Sequence, residues 1–210
     1  MTIAITIPAV ASADALARSL ALAASAGADV AVLAEAPLGD WASAPDAVAF
    51  ALGRTPLLPL GVVLDARDRH PLALWERIAV LQRIAGPGVW PLLSGWGEQH
   101  VRPPAALTPR PLPFAVAPWL VAADGAEVAR ARAVGRRCLA PPNVAAADGV
   151  WGAAGAVEHL EPDAIALVAT SAEAFERDLR DLRDVRAART QVLAEHPWID
   201  VASELFPRRS

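Results

Sequence analysis

Residues 58–97 constrain the fold of this 210-residue chain more than any other stretch. They begin with an apolar run, continue with Leu74, Ile78 and Leu81 at helical spacing, and end in a second apolar run. Small and polar residues follow both apolar runs. The pattern predicts a strand, a helix and a second strand of a parallel α/β protein, with the functional site at the carboxyl ends of the strands.

Strands and helices alternate along the rest of the chain. The predicted strands cover residues 2–8, 29–34, 58–64, 89–93, 114–117, 137–140 and 163–169. The predicted helices cover residues 12–26, 45–54, 71–85, 126–134 and 171–193. Residues 99–113 hold five prolines and cannot form a regular helix, while residues 144–155 are predicted as an Ala/Gly-rich loop and residues 196–206 as a packed tail.

Alternating strands and helices imply a mainly parallel sheet, which an open doubly wound fold or a (β/α) barrel both satisfy. The turn at residues 8–12 lacks the Gly-x-Gly-x-x-Gly fingerprint, and seven candidate strands are nearer to eight than to five. A full barrel takes roughly 250 residues. The sequence therefore predicts one α/β domain over residues 1–210, a (β/α)8-type TIM barrel abridged after the fourth strand.

Composition excludes several classes of function. The net charge is −4 and no basic patch carries interleaved aromatics, which disfavours nucleic-acid binding. No apolar run is long enough to span a membrane, and a lone Cys138 excludes an intrachain disulfide. Lysine is absent, so a Schiff-base or phosphate-loop lysine is impossible, and tyrosine is absent as well. No spacing of histidines and carboxylates suggests a metal site, and a cytoplasmic protein is expected.

Four segments in order carry a resemblance to a known family: ALARSLALAASAGADVAVLAEA, then RTPLLPLGVVLDARDRHPLALWERIAVLQRIAGPGVWPLLSGWGEQ, PLPFAVAPWLVAADGAEVARARAVGRRCLAPPN and DAIALVATSAEAFERDLRDL. Together they resemble the luciferase-like monooxygenase superfamily of flavin- or deazaflavin-dependent barrels. The resemblance implies a flavin-dependent oxidoreductase or monooxygenase that acts on a small organic substrate with FMN, or alternatively with a deazaflavin coenzyme. The short proline-rich segment stands where the family has a long insertion.

Residues at the strand ends are the candidates for a site. The candidate catalytic residues are Glu35, Asp65 and His70. The candidate cofactor-binding residues are Ser94, Gly95, Trp96, Gly97, Asp124, Gly125 and Asn143. Trp96 would stack on a flavin ring and His100 would reach over the site. Structural alternatives stay open: His70 and Asp124 as helix caps, and Trp96 as a packed side chain.

Two other functions remain open at this point. A degenerate barrel could be a non-catalytic flavin-binding or partner subunit, which the missing segment favours. A cofactor-free isomerase or aldolase is also compatible with the fold, without Schiff-base chemistry because lysine is absent. An incomplete barrel would leave apolar strand edges exposed, so a homodimer that buries them is expected.

Overall fold

Eight parallel strands close into a barrel in the computed structural model, which describes residues 2–7, 12–33, 58–86, 88–113, 115–153, 157, 165–168, 175, 177 and 179–184. The strands are β1 (Ile3–Ile7), β2 (Val30–Leu33), β3 (Leu60–Asp65), β4 (Trp90–Ser94), β5 (Trp119–Val121), β6 (Cys138–Ala140), β7 (Gly149–Gly152) and β8 (Ile165–Val168). Each strand pairs with the next along the chain, and β8 pairs with β1. The predicted α/β barrel is confirmed.

Helices cover the connections that the sequence marks most clearly. They are α1 (Ala13–Ser25), α2 (Pro71–Ala85) and α3 (Gly125–Ala133), and the described residues from 175 to 184 are also helical. Ser12 caps α1 by accepting a hydrogen bond from the backbone N–H of Ala15. Proline is the first residue of α2, a position whose backbone N–H has no partner within a helix, so the N–H that proline lacks is not missed there. Gly86 ends the helix.

The barrel is abridged in its connections and not in its strands. After β4, residues 95–118 form one 3-10 turn at Glu98–His100 in the described part, where a barrel normally has a helix. The link from β6 to β7 spans residues 141–148 and has no helix either. The expectation of exposed strand edges is wrong, because all eight strands pair on both sides. The closed sheet removes the reason given for a homodimer.

Two strand predictions need correction. The fifth strand was expected at residues 114–117 and lies at Trp119–Val121, because that register pairs Leu92 with Trp119. The predicted loop at residues 144–155 contains β7, which is only four residues long and begins and ends with glycine. The predicted helix at residues 45–54 and the tail at residues 196–206 lie outside the described residues.

Apolar side chains pack in two layers, as alternation along each strand requires. One layer fills the barrel interior and consists of Ala4, Val30, Val32, Trp90, Leu92, Trp119 and Leu139. The indoles of Trp90 and Trp119 meet edge to face, with centroids 5.5 Å apart. Gly61 leaves room for Trp90, since a Cβ there would lie 3.3 Å from its ring. The second layer lies between the sheet and the helices.

Two aspartates join neighbouring strands at the amino-terminal end of the barrel. Asp29 precedes β2, and it accepts a hydrogen bond from the backbone N–H of Ile3 and donates its own N–H to the Ile3 carbonyl. Asp148 precedes β7 and makes the same two bonds to Cys138. The hydrogen bond to each carboxylate is charge-assisted, so Asp29 and Asp148 fix where β2 and β7 begin. Asp148 thereby holds the connection that has no helix.

Candidate functional site

Asp65 and Ser94 lie side by side at the carboxyl ends of β3 and β4. They are partners in the strand ladder, and the backbone N–H of Ala66 donates to the Ser94 carbonyl at 2.8 Å. Val63 and Leu92, two residues earlier, pack in the barrel interior. Because side chains alternate, Asp65 and Ser94 are also directed towards the barrel axis, at its mouth. The structure brings these two predicted residues together.

An ion pair fixes the Asp65 carboxylate. Its Oδ1 accepts hydrogen bonds from the backbone N–H of Arg67 at 3.0 Å and from the Arg67 guanidinium Nε at 3.3 Å. The backbone hydrogen bond is the largest cause that lowers the pKa of Asp65, and the Arg67 side chain lowers it further. Asp65 is therefore ionised at neutral pH. The Asp65 side chain is 43% exposed and the Arg67 side chain 73% exposed, so a ligand can reach both.

Gly95 leaves space for the Arg67 side chain because it has no Cβ. The backbone of Gly95 has φ 59°, a left-handed conformation that favours glycine. A Cβ at this position would lie 2.5 Å from the Arg67 Cγ. The space next to Gly95 is therefore filled by the Arg67 side chain. Arg67 was not among the predicted site residues, although the spacing Asp-Ala-Arg is the signal for this turn.

His100 holds the two strand-end loops together from beneath. The backbone N–H of Gly97 donates to its Nδ1 at 2.9 Å, so Nε2 carries the proton and donates to the Arg69 carbonyl at 3.0 Å. The residue is 4% exposed. The Trp75 indole N–H donates to the backbone carbonyl of His100. The expectation that His100 reaches over the site is wrong, because both ring nitrogens are used to position loops.

Trp96 packs outside the barrel mouth. Its indole N–H donates to the Val121 carbonyl at 3.2 Å, and the residue belongs to the layer between the sheet and the helices. The Arg130 guanidinium covers its ring at 5.2 Å from the centroid. The structure thus places Trp96 as a packed side chain, with a cation on its face where a flavin was expected. Gly97 approaches the Gln99 side chain and donates its N–H to His100.

The amino end of α3 is already occupied by carboxylates. Asp124 accepts from the backbone N–H of Glu127, and Glu127 accepts from the backbone N–H of Ala123 at 2.8 Å. Asp124 thus satisfies one amide of the first helical turn, and both carboxylates lie at the start of the helix. Gly125 has open space around it. An anion here would meet two negative charges, and Asp124 serves as the cap of the helix.

Two further predicted residues, His70 and Asn143, lie in the described part of the chain. His70 caps α2, since its Nδ1 accepts from the backbone N–H of Leu72. Asn143 is exposed in the link between β6 and β7. Glu35 lies outside the described residues. Thr6, which the sequence reasoning missed, is half-buried one residue before the end of β1 and shares the inward face of Ala4, a position that strand alternation indicates.

Metal and thiol chemistry find no support in the part of the chain that the structure describes. No group of three or more His, Cys, Asp or Glu side chains there is placed to hold a metal ion. Cys138 is buried in β6, and burial raises the pKa of its thiol. A buried, protonated thiol is a poor nucleophile. No helix among the described residues is long and apolar enough to cross a membrane.

Comparison with known proteins supports the barrel. No protein-family model matches this sequence, and no curated protein matches it. A solved structure of native KDPGal is 11% identical with a TM-score of 0.55, and covers 92% of this chain and 97% of its own. A 3-hexulose-6-phosphate synthase is 12% identical with a TM-score of 0.51, over 88% of this chain and 99% of its own. A cube-shaped protein cage designed by fusing symmetric oligomeric domains is 12% identical with a TM-score of 0.59, over 92% and 75%.

These structures correct the expected family. They are not luciferase-like monooxygenases, so the assignment to that superfamily and the flavin-dependent oxidoreductase inferred from it are wrong. The alternative of a non-catalytic flavin-binding or partner subunit is not supported. The stretch at residues 58–97 carried the resemblance, and its strand–helix–strand pattern with a proline-opened helix is common to parallel barrels in general. His70, which lies in the second of the four segments, caps that helix. At 11–12% identity the similarity establishes the fold alone.

Proposed function

We propose that the mouth of the barrel binds a small anionic polyol of the sugar-phosphate class. The observation that carries this proposal is the Asp65–Arg67 pair, exposed at the strand ends beside Ser94. A guanidinium binds phosphate through charge-assisted hydrogen bonds. An ionised carboxylate accepts hydrogen bonds from sugar hydroxyls, and a serine hydroxyl both donates and accepts them. In parallel barrels, active sites lie at this face.

The chemistry we propose is a lyase or isomerase reaction that proceeds by proton transfer. No lysine is available for a Schiff base. Asp65 is placed to accept a proton from a substrate hydroxyl or an acidic C–H group, and the Ser94 hydroxyl to donate a hydrogen bond to the neighbouring oxygen on which negative charge develops. The 3-hexulose-6-phosphate synthase is named for a sugar phosphate, which makes this class the first to test.

Calorimetric titration with fructose 6-phosphate tests the binding step, with fructose as the matched ligand that lacks the phosphate. We expect the phosphate ester to bind and fructose to bind at least tenfold more weakly, because the loss of one charged hydrogen bond costs about 1.5 kcal/mol or more. Arg67→Gln should weaken binding about tenfold, and Asp65→Asn should weaken it less but abolish turnover. Arg132→Gln, an exposed arginine on α3, is the control.

Two outcomes count against the proposal. Equal binding of fructose 6-phosphate and fructose would remove the role of the anion. Unchanged affinity in Arg67→Gln would place the ligand elsewhere on the chain.

Three properties expected from the sequence remain proposals. Binding of FMN is tested by the absorbance and thermal shift of the purified protein with added FMN. A homodimer is tested by light scattering, and a cytoplasmic location by cell fractionation.

A further inference from the structure

A cavity opens at the end of the barrel opposite Asp65 and Ser94. It has a volume of about 310 Å³ and is lined by Val116, Ala117, Pro118, Trp119, Gly135, Arg136 and Arg137. Trp119 is the first residue of β5, and Arg137 directly precedes the first residue of β6. The cavity therefore lies at the amino-terminal ends of the strands, whereas Asp65 and Ser94 lie at their carboxyl-terminal ends.

Arg136 is held in a fixed orientation at this cavity. Its Nε and one terminal nitrogen both donate to the Val101 carbonyl, at 3.0 and 2.6 Å. These bonds use two of the five N–H groups of a guanidinium, and the other three have no hydrogen-bond partner among the described residues. Burial lowers the pKa of Arg136, and the like charge of Arg102 lowers it further. No acidic side chain lines the cavity.

Apolar residues make up much of the remaining lining. They are Val116, Ala117, Pro118 and the largely buried Trp119. The Trp119 ring is fixed on one side by its edge-to-face contact with Trp90, and the Arg137 guanidinium lies 5.6 Å from its centroid. A cavity of this size lies at the lower end of the range for small-molecule sites.

We propose that this amino-terminal cavity is a second binding site, for a small anion with a compact apolar body. The anionic group pairs with Arg136 and Arg137, which are pre-placed and positively charged. The apolar body packs against Trp119 and Pro118. Phosphate monoesters and carboxylates share this chemistry, and the experiment below separates them.

The test uses phenyl phosphate, benzoate and uncharged benzyl alcohol in calorimetric titrations. They are run on the Arg67→Gln variant, in which binding at the site proposed at the barrel mouth is expected to be about tenfold weaker. We expect at least one of the two anions to bind and benzyl alcohol to bind at least tenfold more weakly; the preferred anion identifies the class. Arg137→Gln should weaken that binding about tenfold. Arg132→Gln, which removes an exposed arginine outside the cavity, should leave it unchanged.

Arg136→Gln should weaken anion binding more, but it also removes the hydrogen bonds to Val101. It is therefore compared with Arg137→Gln, because the Arg137 side chain is exposed and takes no part in that contact. Two results together support the site. Anion binding is lost in Arg137→Gln, and the quenching of tryptophan fluorescence by the bound anion disappears in Trp119→Phe. Failure of both anions to bind at millimolar concentration overturns the proposal. Binding that is indifferent to Arg137→Gln also overturns it, whatever happens with fructose 6-phosphate at the other face.

Discussion

Replacing Gly95 with alanine should displace Arg67 from the barrel mouth. The new Cβ would lie 2.5 Å from the Arg67 Cγ, about 1 Å closer than an ordinary van der Waals contact. Because Arg67 is 73% exposed, its side chain can move away at little cost to stability. The variant should therefore fold, but its guanidinium should no longer lie beside Asp65.

The size of the effect on stability follows from the backbone. A left-handed conformation costs an L-residue about 1–2 kcal/mol, and the stiffer unfolded chain returns about 0.4–1 kcal/mol. The net loss is about 1 kcal/mol, or roughly 2–4 °C in Tm for a chain of this length. Gly135→Ala provides the comparison for stability, since Gly135 has φ 70° and open space around it. Similar losses of Tm in the two variants would show that displacing Arg67 costs little.

A double-mutant cycle measures the coupling to ligand binding. We expect Gly95→Ala and Arg67→Gln each to weaken the binding of fructose 6-phosphate about tenfold, and the double variant to bind no worse than either. This corresponds to a coupling energy of about 1.4 kcal/mol. Calorimetric titration of the four proteins gives the values. Additive losses, a hundredfold in the double variant, would refute the idea that Gly95 acts by making room for Arg67.

Three further results are expected. His100→Ala should destabilise the protein by about 3 kcal/mol in urea unfolding, because the Gly97 N–H and the Arg69 carbonyl lose their partners in a buried setting; a loss below about 1 kcal/mol would contradict this. Asp148→Ala should lower the free energy of unfolding by about 2 kcal/mol, and Asp148→Asn, which keeps an acceptor for the Cys138 N–H, should lower it clearly less. Equal losses would be inconsistent with the hydrogen bond between Asp148 and Cys138 as the source of the stability. Folding lowers the pKa of Asp65, so the stabilisation by its ionised form is complete above the unfolded pKa of about 4 and is lost as the pH falls through the lower folded value. The Tm difference between the native chain and Asp65→Asn should therefore be constant near neutrality and shrink only below about pH 4. A difference that already shrinks at about pH 6 would contradict this.

Elements with local signals in the sequence are predicted well. The helix predicted at residues 71–85 begins and ends where α2 does, because a first-turn proline and a terminal glycine fix both ends. The fifth strand is misplaced because apolar runs stand on both sides of Pro118, and only pairing with β4 decides between them. The short β7 has no run of its own and exists because its neighbours supply the ladder.

The site shows the same division. Asp65 and Ser94 follow from their positions at strand ends, which a pattern reveals. The direction in which Trp96 points depends on the geometry of a turn, and the sequence does not specify whether its indole faces the mouth or the helices. The pairing of Arg67 with Asp65 is local to one loop. The packing of Arg67 over Gly95 joins two loops, so it emerges only once β3 and β4 are adjacent. The family assignment failed because a generic barrel unit was taken as specific.

The most direct test is an NMR titration of the 15N-labelled, 21.9 kDa protein with fructose 6-phosphate. We expect the largest amide shift changes at residues 65–69 and 94–97, the two loops at the barrel mouth. The absence of any change, or changes confined to residues 116–119 and 135–137 at the opposite end, would contradict a sugar-phosphate site at this face.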